Sequence, residues 1–393
     1  MKLLKRAAAL LMVSTLAVTS LAACGSKKEN SGSSDADTFK IGGIGPTTGD
    51  AAVYGIAVKN GAQLAVDEIN EAGGINGKKI EYKFEDDQAD AEKSVNAYNT
   101  LKDWGMQILV GSTTSTACTA VVEETHTDNM FQLTPSATAL ESIQYDNAFR
   151  MCFSDPSQGV ASADYIVDNK IAEKVAVIYN SSDVYSSGIY QKFAEEAKTK
   201  GLEIVAAEAF TADNKTDFSV QLQKAKASGA DLVFLPIYYQ EASLILAQAQ
   251  KMGYTPKYFG CDGMDGLLAL EGFDTALAEG VMFLTPFTPD AEDDATQKFV
   301  SAYKEKFGET PIQFAADAYD CVYAIKEAAE KAKITPDMSI SDLCDAMKAA
   351  MTEITIDGLT GKQITWAADG EPSKEATVVI VEKGAYKVLQ ANK

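Results

Sequence analysis

The chain has 393 residues, 46% hydrophobic and 23% charged, a globular composition long enough for two domains with full cores. Its net charge is −21, and −24 once residues 1–23, with Lys2, Lys5 and Arg6, are set aside. A surface that acidic repels nucleic acid and anionic lipid headgroups, so neither is expected as a direct partner. The single histidine, His126, argues against catalytic triads and multi-histidine metal sites. Six cysteines at 24, 118, 152, 261, 321 and 344 show neither C-x-x-C spacing nor a dense framework, and no bridge is assigned.

In chain order, Met1 to Arg6 is basic, Ala7 to Val18 apolar, and Leu21-Ala22-Ala23-Cys24 closes the segment. That layout is a secretory signal, too short for a spanning helix. Small residues before a cysteine resemble the bacterial lipobox, which makes residues 1–23 a signal peptide and Cys24 the lipidated first residue. Residues 24–38 then form a flexible polar tether.

From Phe39 the pattern alternates. Strands are predicted at 39–44, 80–84, 107–110 and 131–133, with helices at 54–71, 90–102 and 117–130. Val58, Ala62, Ala65, Val66 and Ile69 recur at helical spacing, and AGGINGKK stops that helix with glycines. A second series follows: strands at 175–179, 203–208, 232–236, 258–259 and 281–284, helices at 187–199, 218–228 and 241–252. Residues 295–351 read as mostly helical, with closing strands at 363–366 and 377–381. Two successive βα series predict an α/β fold of two doubly wound parallel sheets, whose ligands sit beyond the strands' carboxyl ends. At one such end lies Gly111 to Thr119, GSTTSTACT, a hydroxyl-rich turn opening a helix and suited to an anion. No lysine completes a phosphate loop there. Ser112 to Thr114 read as turn-formers and Thr116 as a helix cap.

The segments IGGIGPTTGDAAVYG, GAQLAVDEINEAGGINGKKIEY, DDQAD, GSTTST, TPSAT and DLVFLPIYYQEA together resemble the branched-chain amino-acid-binding proteins of ABC importers, the leucine/isoleucine/valine-binding type. The likeness runs in order from Phe39 to the C-terminus. It implies a type I periplasmic binding protein of Venus-flytrap form: two doubly wound lobes joined by three crossovers. Lobe 1 would be residues 39–156 plus 286–365, and lobe 2 residues 157–285 plus 366–393. It also implies capture of a free amino acid, branched-chain or otherwise apolar, by a monomer anchored to the membrane through its N-terminal lipid. The closed form would deliver the ligand to ABC permease subunits outside the cytoplasm. No cofactor, metal or enzymatic role is implied.

A free amino acid is a zwitterion, and burying it requires partners for both charges. By the resemblance Ser115 meets the carboxylate, the backbone of Ala137 and the hydroxyl of Thr138 contact both termini, and Tyr238 reaches the carboxylate. Asp262, in GCDGMDG, pairs with the ammonium, while Tyr54 and Tyr185 line the cleft, one per lobe. Ser136 and Phe314 complete the candidate set, and Asp317 reads as a solvated or capping residue, with cleft lining as the alternative. The sequence departs from well-known members in having Ala89 and Thr114 where they carry bridged cysteines, and Asp where some carry Glu at 262. No G-x-S-x-G, H-E-x-x-H or G-x-G-x-x-G constellation supports an enzyme. The alternative is a ligand-sensing receptor lipoprotein for an amino acid, amide or aromatic acid.

Overall fold

The first strand, β1 (Thr38–Gly45), runs into helix α1 (Ala52–Glu71), whose buried face carries Tyr54, Val58, Ala62, Ala65, Val66 and Ile69. The computed structural model of the protein describes residues 38–389, so the signal segment, Cys24 and nearly all of the tether lie outside the described residues. Next come β2 (Lys79–Asp86), α2 (Ala91–Trp104), β3 (Ile108–Val110), α3 (Ser115–Asp128), β4 (Phe131–Thr134) and β5 (Ala148–Arg150). They form a five-stranded sheet in the order β2-β1-β3-β4-β5, parallel throughout.

The second series is α4 (Asp155–Asp168), β6 (Lys174–Asn180), α5 (Val184–Lys200), β7 (Glu203–Phe210), α6 (Ser219–Ala227), β8 (Leu232–Leu235), α7 (Tyr239–Lys251), β9 (Lys257–Gly260) and β10 (Met282–Thr285). Its strands β7-β6-β8-β9-β10 repeat the order of the first sheet. After β10 the chain returns to the first sheet with α8 (Asp294–Phe307), α9 (Gln313–Ala332) and α10 (Ile340–Met351), which pack against α1, β3 and β4. It then crosses a third time to β11 (Thr377–Glu382) and β12 (Ala385–Val388). These two strands extend the second sheet, β11 antiparallel to β10 and β12 antiparallel to β11, so that sheet is mixed where a wholly parallel one is predicted. Strands such as Leu232–Leu235 and Ile108–Val110 are buried throughout, as expected of parallel strands covered on both faces.

Five elements depart from the sequence reading. The strand expected at 363–366 is reduced to isolated bridges, Ile356 to Ile364 and Trp366 to Pro372. Strand β5, helix α4 and strand β12 were not expected. Helix α3 begins at Ser115 rather than Ala117, which brings the hydroxyl cluster onto the helix start itself. Cys118, Cys152, Cys261, Cys321 and Cys344 are all buried free thiols.

Candidate functional site

In each sheet the strand order reverses direction between two neighbours, β1 and β3 in the first, β6 and β8 in the second. At such a switch point the following helices leave on opposite faces and open a crevice. The four helices that follow these four strands each bring a candidate residue at the start: Tyr54 on α1, Ser115 on α3, Tyr185 on α5 and Tyr238 as N-cap of α7. The repeated topology thus sets two helix-start pairs facing one crevice.

On the first-sheet side the turn 111–114 is built by its own hydroxyls. Gly111 has φ +146°, and a Cβ there would stand 2.8 Å from the Ile44 carbonyl oxygen, so only glycine lets β3 leave the sheet this way. Ser112 Oγ bonds Ser94 Oγ at 2.8 Å, and Thr113 Oγ1 donates to the Ile44 carbonyl at 3.1 Å. Thr134 Oγ1 donates to the Ser112 carbonyl and Ser136 Oγ to the Thr113 carbonyl, both at 2.7 Å. These hydroxyls fix the loop 134–139 against the turn, and Ser136 is spent in doing so as a donor.

Ser115 differs from its neighbours. It is 1% exposed, and its Oγ accepts from the Thr138 N–H at 3.1 Å and the Ala139 N–H at 3.2 Å. With both lone pairs engaged, its own O–H is left to donate, and it lies beside a helix N-terminus that favours negative charge. The adjacent Thr114 Oγ1 is buried without a hydrogen-bond partner. The Ala137 N–H donates to Thr134 Oγ1 at 3.0 Å. Thr116, read as a cap, is not one: Thr114 holds the N-cap position, and Thr116 Oγ1 donates to Asp183 Oδ1 at 2.9 Å, joining α3 to the start of α5.

The second-sheet side is acidic. Asp262, in a 3₁₀ turn after β9, is 4% exposed and accepts from the Tyr185 hydroxyl at 2.8 Å, while the same hydroxyl accepts from the Gly263 N–H at 2.9 Å. Its backbone is fixed by two amides: its N–H donates to Gln158 Oε1 at 3.0 Å, and Gln313 Nε2 donates to its carbonyl at 2.7 Å. Burial pushes the Asp262 carboxyl from 3.8 up to about 7, against the opposing pull of the Tyr185 hydroxyl. Burial likewise holds Asp155 well above the usual carboxylate range, opposed by the nearby Thr138 hydroxyl and raised further by Asp262. Asp183 is also raised by burial, against the Thr116 hydroxyl. Tyr238 feels Asp183, Asp155, Asp262 and Glu241 together, after burial itself, in the elevation of its phenol.

Aromatic rings join the two sides. Tyr54 is fully buried, stacks on Phe314 at 4.1 Å between centroids, and meets Tyr238 and Tyr239 edge-on at 5.4 and 4.9 Å. Its hydroxyl donates to the Gly263 carbonyl and accepts from the Tyr239 N–H at 3.2 Å. Tyr185 stacks on Tyr238 at 4.9 Å. At the crevice mouth a cavity of about 210 Å³ lies between Asp50, Thr114 and Thr116 on one wall and Asp183, Lys215 and Glu241 on the other. Lys215 spans it, 2.7 Å from Asp50 and 3.5 Å from Glu241.

The fold thus gathers Ser115, Ser136, Ala137 and Thr138 on one wall and Tyr185, Tyr238 and Asp262 on the other, with Tyr54 and Phe314 packed between them. Asp317 is neither solvated nor a cap: it is buried and ion-paired with Lys374 at 2.6 Å. Asp155, Asp183, Gln158 and Gln313 went unnoticed in the sequence. Only Asp183, in the capping pattern Asp183-x-x-Ser186, carried a local signal, since its side chain accepts from the Ser186 N–H. Among the described residues no group of three or more His, Cys, Asp or Glu is placed to hold a metal ion.

Two doubly wound sheets with a crevice between their switch points, crossed three times by the chain, define a two-lobed ligand-binding fold. The chain belongs to the periplasmic binding protein family, whose model matches residues 38–385. That family comprises substrate-binding proteins of ABC transporters, not enzymes, and acts outside the cytoplasm. The chain is 32% identical over 302 residues to the Leu/Ile/Val-binding protein homolog 3 of Brucella melitensis, covering 76% of this chain and 80% of that one. It is 29% identical over 299 residues to the leucine-, isoleucine-, valine-, threonine-, and alanine-binding protein of Pseudomonas aeruginosa, covering 76% and 79%. Among solved structures it is similar to the branched-chain amino acid transporter substrate binding protein LivJ of Streptococcus pneumoniae in complex with isoleucine, at 32% identity, TM-score 0.80, and coverage of 90% of this chain and 99% of that one.

Proposed function

We propose that this protein captures a free amino acid with an apolar, branched side chain, closes over it and delivers it to an ABC permease. One observation carries the reading: the crevice sets a hydroxyl that can only donate, at the start of α3, against a wall of buried carboxyls around Asp262. A ligand carboxylate satisfies Ser115, and a ligand ammonium supplies the cation that Asp262 lacks. Thr138 and Tyr238 stand between these poles, and the rings of Tyr54, Tyr185 and Phe314 favour an apolar side chain. The names of the relatives and of the isoleucine-bound structure support the same ligand class. The lobe limits 39–156 plus 286–365 and 157–285 plus 366–393, the lipid anchor at Cys24 and the monomeric state belong to the same proposal.

Calorimetry with the twenty amino acids, 4-methylpentanoate and isopentylamine tests it. Leucine, isoleucine or valine is expected to bind, and the two analogues at least about 100-fold more weakly, since 4-methylpentanoate leaves the buried Asp262 without a cation and isopentylamine leaves the buried Ser115 donor without an anionic acceptor. Equal binding of either analogue would overturn the zwitterion reading.

A further inference from the structure

Arg150, at the end of β5, is the largest fully buried side chain among the described residues, and the ligand reading gives it no task. Its Nη1 donates to the carbonyls of Ala137, at 3.4 Å, and Thr138. These are the carbonyls of two consecutive peptide groups whose N–H ends, on Thr138 and Ala139, both donate to Ser115 Oγ. Each peptide is therefore held at one end by the guanidinium and at the other by the serine hydroxyl. Rotation of either peptide would release a lone pair of Ser115 and let its O–H turn inward.

The guanidinium is in turn held from the third crossover. Arg150 Nε lies 2.9 Å from Glu371 Oε2, an ion pair without the alignment of a hydrogen bond, and Nη2 is buried with no hydrogen-bond partner. Glu371 is one-third exposed (33%), so it is reachable without opening the core. The main chain beside it is stitched to β5: the Arg150 N–H donates to the Gly370 carbonyl at 3.1 Å, and the Trp366 indole N–H to the Arg150 carbonyl at 2.8 Å. Gly370 has φ +83°, and a Cβ there would meet the Ala148 carbonyl oxygen at 2.4 Å, so this approach needs glycine.

Resting on the amino-acid reading of the crevice, we propose that Arg150 and Glu371 are positioning residues of the carboxylate subsite. They clamp the Ala137–Thr138 and Thr138–Ala139 peptides so that Ser115 presents its proton to the ligand. Glu371 thereby ties the subsite to the third crossover, one of the segments about which the lobes would turn. Without Glu371 the guanidinium is left with Asp155 as the nearby acid that senses its charge, and the clamp on the two peptides loosens.

The test uses Glu371→Gln and Glu371→Asp in the full chain. In Glu371→Gln the affinity for leucine is expected to fall about 10-fold, the weight of one charge-assisted contact, while that for leucinamide, which keeps the ammonium, changes less than about 2-fold. Glu371→Asp restores a large part of the acid-selective loss. Site-resolved hydrogen exchange without ligand should show the Thr138 and Ala139 amides exchanging about 10-fold faster in Glu371→Gln, with the Leu133 amide of β4 unchanged. Equal losses for acid and amide would mark a general loosening and overturn the proposal, as would unaltered exchange at both amides. If the wild-type chain binds no amino acid, the ligand reading alone fails, and the exchange result still decides whether the clamp exists.

Discussion

Replacing Asp262 by asparagine should move stability and binding in opposite directions. The carboxyl is shifted from 3.8 to about 7 by burial, so the folded chain holds this proton more tightly than the unfolded chain. Between about pH 4 and pH 7 the folded state then binds more protons than the unfolded one, and stability falls as pH rises. At about 1.4 kcal/mol per unit, a shift of this size corresponds to a cost on the order of 4 kcal/mol above pH 7, present in the wild type and absent in Asp262→Asn. The amide keeps the shape and an acceptor for the Tyr185 hydroxyl, so the ligand-free variant should be more stable at pH 8 by a few kcal/mol and indistinguishable near pH 4. Leucine affinity should drop by about 100-fold or more, because the ligand ammonium then lies buried opposite a neutral group, at a cost of about 3–5 kcal/mol. Urea denaturation of both proteins from pH 4 to 8, with calorimetry at pH 7.5, measures both effects. Wild-type affinity in the variant would refute the assignment of Asp262 to the ammonium, and a stability difference independent of pH would refute the electrostatic account of its burial.

Two further perturbations probe closure and the crossovers. Thr116→Val removes the bond to Asp183 that joins the starts of α3 and α5, and stopped-flow measurements should show ligand release about 3- to 10-fold faster with little change in association rate. An unchanged release rate would show that this contact does not hold the crevice shut. Lys374→Met strands the buried Asp317, which burial already raises to about 6 against the opposing Lys374 charge. The loss should be about 3–5 kcal/mol at pH 8 and smaller at pH 5, where a carboxyl raised further is protonated in the folded state, and Lys374→Met with Asp317→Leu should recover much of it. Equal losses at both pH values would sink the charge argument.

What the sequence disclosed follows physical range. The strands around Ile108–Val110 and Leu232–Leu235 are legible because burial on both faces demands unbroken apolar runs. Ser115 stands out because a strand ending in glycine and hydroxyls announces a helix start. Strand β5 was hidden by its own Arg150, a charge that reads as surface until its partners on Ala137, Thr138 and Glu371 are known. Helix α4 was hidden by Gln158 and Asp155, polar residues that face the crevice where periodicity expects apolar ones. The segment 363–366 alternates like a strand, yet its neighbours Gly361, Gly370 and Pro372 allow only single bridges. Asp183 and Thr116 reveal their bond only when the two helix starts are brought face to face.

The acids of the crevice also bear on why closure would need a ligand. Several contacts favour the closed arrangement: Tyr54 to Gly263 and Tyr239, Val53 to the Tyr239 hydroxyl at 3.2 Å, Thr116 to Asp183 and Lys215 to Asp50. At about 1 kcal/mol each, such bonds would together hold an empty crevice largely closed. Against them stand Asp155, Asp183 and Asp262, all raised by burial, with Asp155 raised further by the other two. With one raised carboxyl alone corresponding to several kcal/mol near neutral pH, the buried acids oppose these contacts on a comparable scale. A bound ammonium cancels the repulsion and leaves the closing contacts unopposed, so the ligand's charge, more than its apolar side chain, would set the position of the lobes. On this account isopentylamine should promote closure while binding weakly, whereas 4-methylpentanoate should not, and small-angle scattering with each analogue at saturation separates the two. Closure driven by the acid and not by the amine would place the controlling charge at Ser115 instead.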